Sequence, residues 1–443
     1  MFLGKQIHII INYMNRQIRW AAIQPLTGGM YLGAEEAIGN KAEWIMSFKG
    51  LDTVKYSKTD PTQMTSVGNE YNLLKYLEKK GRSVPYYVIN SPMFDIDINS
   101  TNVDITLDGD KATPDYNDID IIVGVPVCSG LSMVTSGSEE TKKQRNCNMQ
   151  WMANYTLQVI RPKVYIFENA PTLMTERGEY LREWFNELAS LNGYSILYYK
   201  TDTILHNNPQ KRPRTFVIFV KHNKYEAQQD PPLFDWEKKP ISLEDFLNNI
   251  PEGLEQDVPV STSPNNFYLK DFMNEEYNND WKKLINGSVM NFIIKEKKLD
   301  KLIKHTENND KYGDENKEKT LKYFNHIKKK KEMGLNFYGN DLVYFKDKLP
   351  SVQFRAIPNM VHITKDRIYT IREYLTFMGM PYDFILYGDK SNLPKIAQNV
   401  PVGTAKFIVE QAVKIIENWG QERTTNHNAL YQNNIEQKTR NGD

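Results

Sequence analysis

The sequence has few cysteines, no long apolar run and almost no net charge. Only two cysteines, Cys128 and Cys147, occur among 443 residues, which excludes a disulfide-built scaffold and fits a reducing compartment. No stretch approaches the ~18 unbroken apolar residues of a membrane-spanning helix, and Met1–Ile11 lacks the small-residue cleavage site of a secretory signal. The formal net charge is +1, so any attraction to nucleic acid has to come from a local basic segment. These absences predict a cytoplasmic protein without a membrane segment.

The order of apolar segments predicts an α/β protein of two domains. Up to residue 222, short β-type runs alternate with amphipathic helical segments, which is typical of a doubly wound sheet. Residues 223–355 are rich in asparagine, lysine and scattered aromatic residues, and we interpret them as a second, smaller domain. Residues 421–443 have almost no apolar side chains, so we expect this tail to be disordered.

Cys128 lies in a loop that follows a predicted buried strand. The run Ile121–Gly124 is mostly apolar, and Pro126 and Gly130 then break the pattern. Ligands bind at the carboxyl ends of the strands in open α/β sheets, so this thiol is a candidate functional group. The alternative is that Cys128 is a small buried hydrophobic residue, which is the usual state of a free cysteine.

Two further strand ends carry charged residues. Glu168 follows the apolar run Val164–Phe167, and Arg212 and Arg214 precede the apolar run Phe216–Val220. Arginines at i and i+2 place both guanidinium groups on one side of an extended chain, where they suit a carboxylate or a phosphate. The alternative is that Glu168 ties its own loop and that the arginines form a solvated strand end.

A glycine-rich turn follows the first predicted strand, Trp20–Gln24. Gly28, Gly29 and Gly33 stand at the start of a predicted helix that ends before Gly39. Such a turn lets a ligand approach the backbone at a helix N-terminus. An ordinary β-to-α turn explains the same residues equally well.

Taken in order, these motifs resemble those of the DNA cytosine-5 methyltransferases. The set comprises the glycine-rich turn, Pro126-x-Cys128, Glu168-Asn169, Gln210-x-Arg212-x-Arg214, Arg367-x-x-Thr370-x-Arg372-Glu373 and Val400-Pro401. The resemblance implies a Rossmann-like methyltransferase sheet built from residues 1–222 and 356–420. It also implies that residues 223–355 form an inserted target-recognition domain.

The resemblance implies a role for each residue at the strand ends. Cys128 would add to carbon 6 of cytosine, Glu168 would hold the base and protonate ring nitrogen 3, and Asn169 would set the loop. Arg212 and Arg214 would organise the pocket. Carbon 5 is a poor nucleophile until carbon 6 is bonded and the ring is protonated. We expect cationic neighbours to lower the pKa of the thiol, and we expect the base to be flipped out of the duplex.

The resemblance also implies a methyl donor, S-adenosylmethionine, and no metal ion. The family's donor-binding turn is matched by Gly28, Gly29 and Gly33. The motif that contacts the adenine is matched by Asp104 and Ile105, and the last motif, which packs beside the donor, by Val400-Pro401.

Several positions depart from the family's donor-binding pattern. Gln24 replaces an adenine-stacking phenylalanine, Leu26 a glycine, Phe48 an acidic ribose ligand and Gln398 an asparagine. The candidates to compensate are Tyr31 and Trp44 for the ring and Glu43 for the carboxylate. We therefore expect weakened donor binding, and we expect Gln24→Phe combined with Phe48→Glu to tighten it.

The expected partner is double-stranded DNA with a flipped target cytosine, bound by a monomer at the nucleoid, with a phage as one conceivable source of the gene. The run Lys328–Lys331 is the strongest local basic segment and a candidate for phosphate contacts. Two alternatives stay open, an inactive methyltransferase-like DNA-binding protein and an RNA (tRNA) cytosine-5 methyltransferase. A dinucleotide-binding oxidoreductase is disfavoured, because the chain lacks an intact Gly-x-Gly-x-x-Gly turn.

Overall fold

The structure, a computed structural model, describes residues 17–131, 138–222, 241–259, 263–278, 280–335, 341–347, 349–350, 359–388, 392–417 and 419. The tail 421–443 lies outside these residues, so its disorder stays a prediction.

Within this part of the chain, nine strands form one mostly parallel sheet of order β10-β12-β9-β8-β1-β2-β5-β6-β7. The strands in chain order are β1 (Trp20–Ile23), β2 (Ile45–Phe48), β3 (Val54–Tyr56), β4 (Met64–Val67), β5 (Tyr86–Ile89), β6 (Ile105–Leu107), β7 (Asp110–Lys111), β8 (Ile121–Gly124), β9 (Val164–Asn169), β10 (Tyr194–Asp202), β11 (Gln210–Lys211), β12 (Pro213–Lys221), β13 (Gly287–Ser288), β14 (Val343–Tyr344) and β15 (Leu349–Pro350). Strands β3 and β4 pair with each other, as do β11 with β15 and β13 with β14.

The centre of the sheet is parallel and its two sides are not. Strand β1 pairs in parallel with β2 and β8, and these continue in parallel to β5 and β9. Strand β12 runs antiparallel between β9 and β10, and the β6–β7 hairpin extends the other side. The central strands are buried on both faces, as parallel strands with helices above and below should be. The predicted doubly wound α/β fold is confirmed.

Helices cover both faces of the sheet. In chain order they are α1 (Gly29–Ile38), α2 (Tyr71–Lys79), α3 (Glu139–Gln144), α4 (Cys147–Tyr155), α5 (Glu179–Asn192), α6 (Leu243–Asn248), α7 (Pro264–Tyr277), α8 (Trp281–Leu284), α9 (Val289–Lys295), α10 (Leu299–Glu307), α11 (Asp314–Glu332), α12 (Ile371–Phe377), α13 (Leu393–Ala397) and α14 (Val402–Glu417). Helices α1, α2, α12 and α14 share one core with the sheet, and α4 and α5 share the other. None of the described helices is both long and apolar enough to cross a membrane.

A third core lies apart from the sheet. It gathers side chains from α7 to α11, from β14 and from Val361. Leu243 and Leu247 of α6 belong instead to the core of the sheet. The boundaries of the second domain, residues 223 and 355, stay a prediction. Helix α6 lies between them in the chain but packs in the core of the sheet.

One helix ends differently from its sequence pattern. The apolar positions Met149 to Ile160 predict a single helix, but α4 stops at Tyr155 and a π-helical turn follows over Thr156–Ile160. Arg161 then takes a left-handed conformation with φ 57°, and its N–H donates to Thr156 O at 2.8 Å. Pro162 cannot continue a helix, so this turn closes the segment before β9.

Candidate active site

The predicted catalytic segments leave the sheet at one edge. Ile23, Gly124 and Phe167 lie side by side at the carboxyl ends of β1, β8 and β9. The next residues of each strand therefore carry the glycine-rich turn, the Cys128 loop and Glu168 to the same edge. This is the edge at which open α/β sheets bind ligands.

The Cys128 loop is held by short polar contacts. Val127 N–H donates to Asn148 Oδ1 at 2.9 Å, and Leu131 N–H donates to Cys128 O at 3.0 Å. A Cβ on Gly130 would lie 2.1 Å from Asn146 Oδ1, so this position needs glycine. Cys128 itself is exposed, which does not support the alternative of a buried hydrophobic residue.

Glu168 forms an ion pair beneath this loop. Arg214 Nε lies 2.6 Å from Glu168 Oε1, and the glutamate is 6 % exposed. Burial raises the pKa of Glu168, although both neighbouring arginines act to lower it. Asn169 fixes the end of the strand, since its fully buried amide oxygen accepts from Ala170 N–H at 2.8 Å. The structure therefore brings the Glu168 carboxylate and the Arg214 guanidinium group together, as the sequence predicted.

Arg212 lies deeper than Arg214. Its guanidinium is 2 % exposed and donates to the carbonyl oxygens of Ala397 and Asn399, the latter at 2.9 Å. Burial lowers the pKa of Arg212 to about 9, with Arg214 adding to this and the charges of Glu168 and Cys128 opposing it. The Arg212 Nε atom has no hydrogen-bond partner among the described residues, and neither has the buried hydroxyl of Ser129 next to Cys128.

The pKa of the Cys128 thiol differs from the expectation. Crowding by surrounding protein atoms raises the pKa of Cys128, and the Glu168 charge raises it further. Arg214 and Arg212 lower it, as the motif suggested, but the net pKa lies above the ordinary value. The expected net lowering is therefore wrong for the protein without bound nucleic acid, because the carboxylate and the dense surroundings outweigh the arginines.

The glycine-rich turn is packed against the end of the chain. Gly28 has φ +108°, and a Cβ there would lie 2.7 Å from the Leu73 side chain. A Cβ on Gly29 would lie 1.8 Å from Val400 O. Both glycines are therefore required by close approach. Gly33 lies further along α1, where a Cβ would lie 2.6 Å from Ala405 Cβ, so the structure gives it a role in packing α1 on α14.

Asn399 is a site residue that the sequence reasoning missed. Gly29 N–H donates to Asn399 Oδ1 at 2.7 Å, and Asn399 O accepts from Arg212. Gln398, expected at the position of the family's asparagine, is exposed and bonds Asn69 instead. Asn399 therefore takes the place expected for the family's asparagine, one residue later in the chain than the sequence suggested. Asn399 joins the turn at Gly29 to the guanidinium beside the thiol.

A family model for C-5 cytosine-specific DNA methylases matches residues 76–414, more than half of the chain. The chain belongs to this family. The methylase is 25% identical over 373 residues to the type II methyltransferase M.DdeI of Desulfomicrobium norvegicum, covering 79% of this chain and 85% of that protein. It is similar in structure to an E. coli prophage protein described as a DNA modification methyltransferase, with TM-score 0.51, 16% identity and coverage of 90% of this chain and 99% of the other. It is a DNA cytosine-5 methyltransferase, and the family implies a methyl donor.

The matched range begins at residue 76, so the glycine-rich turn and the departures at Gln24, Leu26 and Phe48 lie before it. Gln24 is fully buried, donates to Val125 O at 3.4 Å and accepts from Asn148 Nδ2 at 3.1 Å. Because Asn148 also holds Val127, the Gln24 amide supports the Cys128 loop instead of facing an adenine.

Phe48 and the side chains expected to compensate at the donor site make other contacts in the structure. Phe48 is 1 % exposed and packs edge-on against Trp151 at 5.3 Å. Trp44 lies in the same core and Tyr31 packs against Trp20 in the opposite one. Glu43 pairs with Arg19 at the amino end of the sheet. Tyr31 belongs to α1, Trp44 is packed in the second core and Glu43 lies at the opposite end of the sheet, so the structure does not support the expectation that these side chains compensate at the donor site.

Phe48→Glu should therefore destabilise the methylase and should not tighten donor binding. The change removes a packed ring and places a carboxylate in an apolar core, at a cost of roughly 3–5 kcal/mol. Urea unfolding of the wild type and the variant measures this. Lys49→Glu, at the exposed neighbour, is the matched control and should change stability by less than about 0.5 kcal/mol. An unchanged midpoint for Phe48→Glu would contradict the packing seen here.

Proposed function

We propose that this methylase uses Cys128 as its nucleophile and transfers a methyl group from S-adenosylmethionine to carbon 5 of a cytosine flipped out of duplex DNA. One observation carries the proposal. An exposed thiol lies within the electrostatic reach of the buried carboxyl of Glu168 and of two guanidinium groups at the carboxyl edge of the sheet.

The residues divide the reaction among them. The Cys128 thiolate bonds to carbon 6 while the Glu168 carboxyl gives its proton to ring nitrogen 3, which makes carbon 5 nucleophilic. Glu168 is paired with Arg214, and its raised pKa favours uptake of the proton that it then gives to ring nitrogen 3. S-adenosylmethionine would supply the methyl group to carbon 5 and would leave as S-adenosylhomocysteine. Loss of the carbon 5 proton to a base then breaks the bond between carbon 6 and the Cys128 sulfur, and ring nitrogen 3 returns its proton to Glu168, which restores the aromatic ring and the free thiolate.

The residues at the edge fit S-adenosylmethionine. Helix α1 begins at the glycine pair and has no acidic residue in its first turn, so its N-terminus suits the carboxylate of the donor. Asp104 is exposed and accepts from Asn90 Nδ2 at 3.0 Å beside the carboxyl end of β5, and the buried Ile105 follows it. In our proposal, Asp104 and Ile105 contact the adenosine, Gly28 and Gly29 the methionine part, and Val400 closes the turn. Gly33 contributes through helix packing.

Substrate specificity is proposed to reside in the third core. Residues 223–355 would form the target-recognition domain, and the protein would act as a monomer on double-stranded DNA in the cytoplasm. M.DdeI is a type II methyltransferase, which supports a role in restriction–modification.

Transfer of a labelled methyl group tests the proposed reaction. Purified protein is incubated with methyl-labelled S-adenosylmethionine and either duplex DNA or tRNA, and the digested nucleosides are separated. We expect label in 5-methylcytosine from DNA. Label in tRNA alone would establish the RNA alternative, and no label in either would favour the inactive DNA-binding protein.

Lysines at the end of α11 should contribute to DNA binding without sequence preference. Lys328 pairs with Asp300 at 2.6 Å and Lys331 donates to Ile294 O at 3.1 Å, so Lys329 and Lys330 are the better candidates for phosphate contacts. Their double replacement by alanine should weaken binding to all sequences alike. It should lower the slope of log affinity against log salt by about 0.9 per lost contact.

Fluorescence anisotropy at several salt concentrations measures both effects. Lys319→Ala is the control, because Lys319 pairs with Glu315 near the start of the same helix. An unchanged salt slope in the double variant would show that the run is a solvated face.

A further inference from the structure

Two buried side-chain amides link the end of β1 to the loop that follows β8. Gln24 and Asn148 are both 0 % exposed. Asn148 Oδ1 accepts from Val127 N–H at 2.9 Å, and Asn148 Nδ2 donates to Gln24 Oε1 at 3.1 Å. Gln24 Nε2 completes the chain of hydrogen bonds by donating to Val125 O at 3.4 Å. The two amides therefore hold the backbone on both sides of Pro126.

The direction of these hydrogen bonds is set by the backbone. The Val127 N–H group can only donate, so the atom of Asn148 that faces it has to be the amide oxygen. The amide nitrogen of Asn148 is then directed to Gln24, which presents its own oxygen to Asn148 and its nitrogen to Val125 O. Each amide therefore depends on the other for its orientation. An apolar side chain at residue 24 would leave the buried Asn148 nitrogen without this acceptor, which is unfavourable.

The backbone of Gln24 is strained. Its φ is +52°, in the left-handed region that residues other than glycine seldom adopt. Strained residues of this kind occur most often at binding and catalytic sites, where the surrounding structure enforces them. Gln24 N–H donates to Met46 O at 2.9 Å, which ties this residue to β2. The strained end of β1 thus carries a side chain whose hydrogen bonds are directed to the Cys128 loop and to the residue that holds it.

We propose that Gln24 and Asn148 are a pair of positioning residues for the addition of Cys128 to carbon 6, and that Gln24 takes no part in binding the methyl donor. The inference rests on the proposed role of Cys128 as the nucleophile. The pair acts through the backbone on either side of Pro126. Because proline has no N–H group with which to tie the loop, the hydrogen bonds to its two neighbours set the position of the thiol that follows. A displacement of about 1 Å at a reacting atom lowers a rate by roughly 10²-fold.

Release of tritium from carbon 5 of cytosine tests the inference without a methyl donor. After the thiolate adds to carbon 6, carbon 5 takes a proton from water and loses its tritium to a base, and departure of the thiolate restores the ring. Gln24→Met keeps the length of the side chain but removes the amide. At saturating tritiated duplex DNA, this variant should release tritium at least about 10-fold more slowly than the wild type. Calorimetry should find its affinity for S-adenosylmethionine unchanged.

A double-mutant cycle tests whether the two amides act as one unit. Asn148→Leu and the double variant are measured beside Gln24→Met. Because removal of either amide deprives the other of its partner, the double variant should release tritium no more slowly than Asn148→Leu alone. Gln411→Met is the matched control, since the Gln411 amide is also buried but bonds Phe407 O and Lys414 within α14. This control should release tritium at the wild-type rate.

The possible results are distinguishable. If the wild type neither releases tritium nor transfers a methyl group, the proposed reaction and this inference fail together. If it transfers methyl groups without releasing tritium, the single-turnover rate of transfer at saturating donor replaces tritium release in every comparison. Equal rates for the wild type and Gln24→Met would overturn the inference alone.

Two further results would also overturn the inference. Weaker donor binding in Gln24→Met would place Gln24 on the donor side of the site. Effects of the two single replacements that multiply in the double variant would show that the amides act separately. Thermal unfolding of each variant identifies simple loss of folding, and Gln24→Leu provides a second variant if the methionine form does not fold.

Discussion

Cys128→Ala will abolish covalent capture of duplex DNA that carries 5-fluorocytosine at the target position. In the proposed mechanism, the thiolate adds to carbon 6 and the methyl group is transferred, but fluorine on carbon 5 cannot leave as a proton does, so the enzyme remains attached. Without the sulfur no bond forms. Denaturing gel electrophoresis of the mixture with labelled DNA measures capture directly. The exposed position of Cys128 means that the alanine variant should keep its fold.

Cys147→Ala is the matched control for this experiment. Cys147 is the other cysteine of the chain, is partly buried at the start of α4, and points its sulfur toward Met93 O at 3.8 Å. Its replacement should leave capture intact. Capture that persists in Cys128→Ala, or disappears in Cys147→Ala alone, would remove Cys128 from the proposed mechanism.

The sequence predicted that the candidate catalytic residues share one edge of the sheet, because the signals for this are local. An apolar run followed by proline and glycine marks a strand end wherever it occurs, and parallel strands bring such ends to one edge. Cys128, Glu168 and Arg214 therefore could be placed together without coordinates. The spacing of Thr370 and Glu373 is an equally local signal, and in the structure the two residues form a capping box at the start of α12.

The sequence did not predict the surroundings of the candidate donor-binding residues, for a different reason. Along β2, Ile45 faces one core, whereas Met46 and Phe48 face the other. Because neighbouring residues of a strand face opposite sides, the local sequence did not show that Trp44, the candidate for the ring, and Phe48, at the position of the expected acidic ligand, are both packed in the same core. Asn399 was missed because it reaches the turn from a distant part of the chain, 370 residues after Gly29. No local pattern reports such contacts.

Glu168→Gln should change two reactions of the site in opposite directions. Methyl transfer should fall by roughly 10²–10⁴-fold, because an amide cannot protonate the ring nitrogen. The thiol should become more reactive, because the Glu168 charge raises the pKa of Cys128 while Arg214 and Arg212 lower it. When a thiol pKa lies above the ambient pH, lowering it increases the thiolate fraction more than it reduces intrinsic nucleophilicity.

Alkylation of Cys128 by iodoacetamide at pH 7.5, in a Cys147→Ala background, measures the second effect beside the methylation rate. Glu276→Gln is the control, since Glu276 pairs with Lys298 and Lys301 in the third core and should alter neither rate. A merely structural role for Glu168 would lower methylation and leave the thiol pKa unchanged. Slower or unchanged alkylation in Glu168→Gln would therefore contradict the proposed coupling, whereas faster alkylation with lost methylation requires the carboxylate to act on both the thiol and the base.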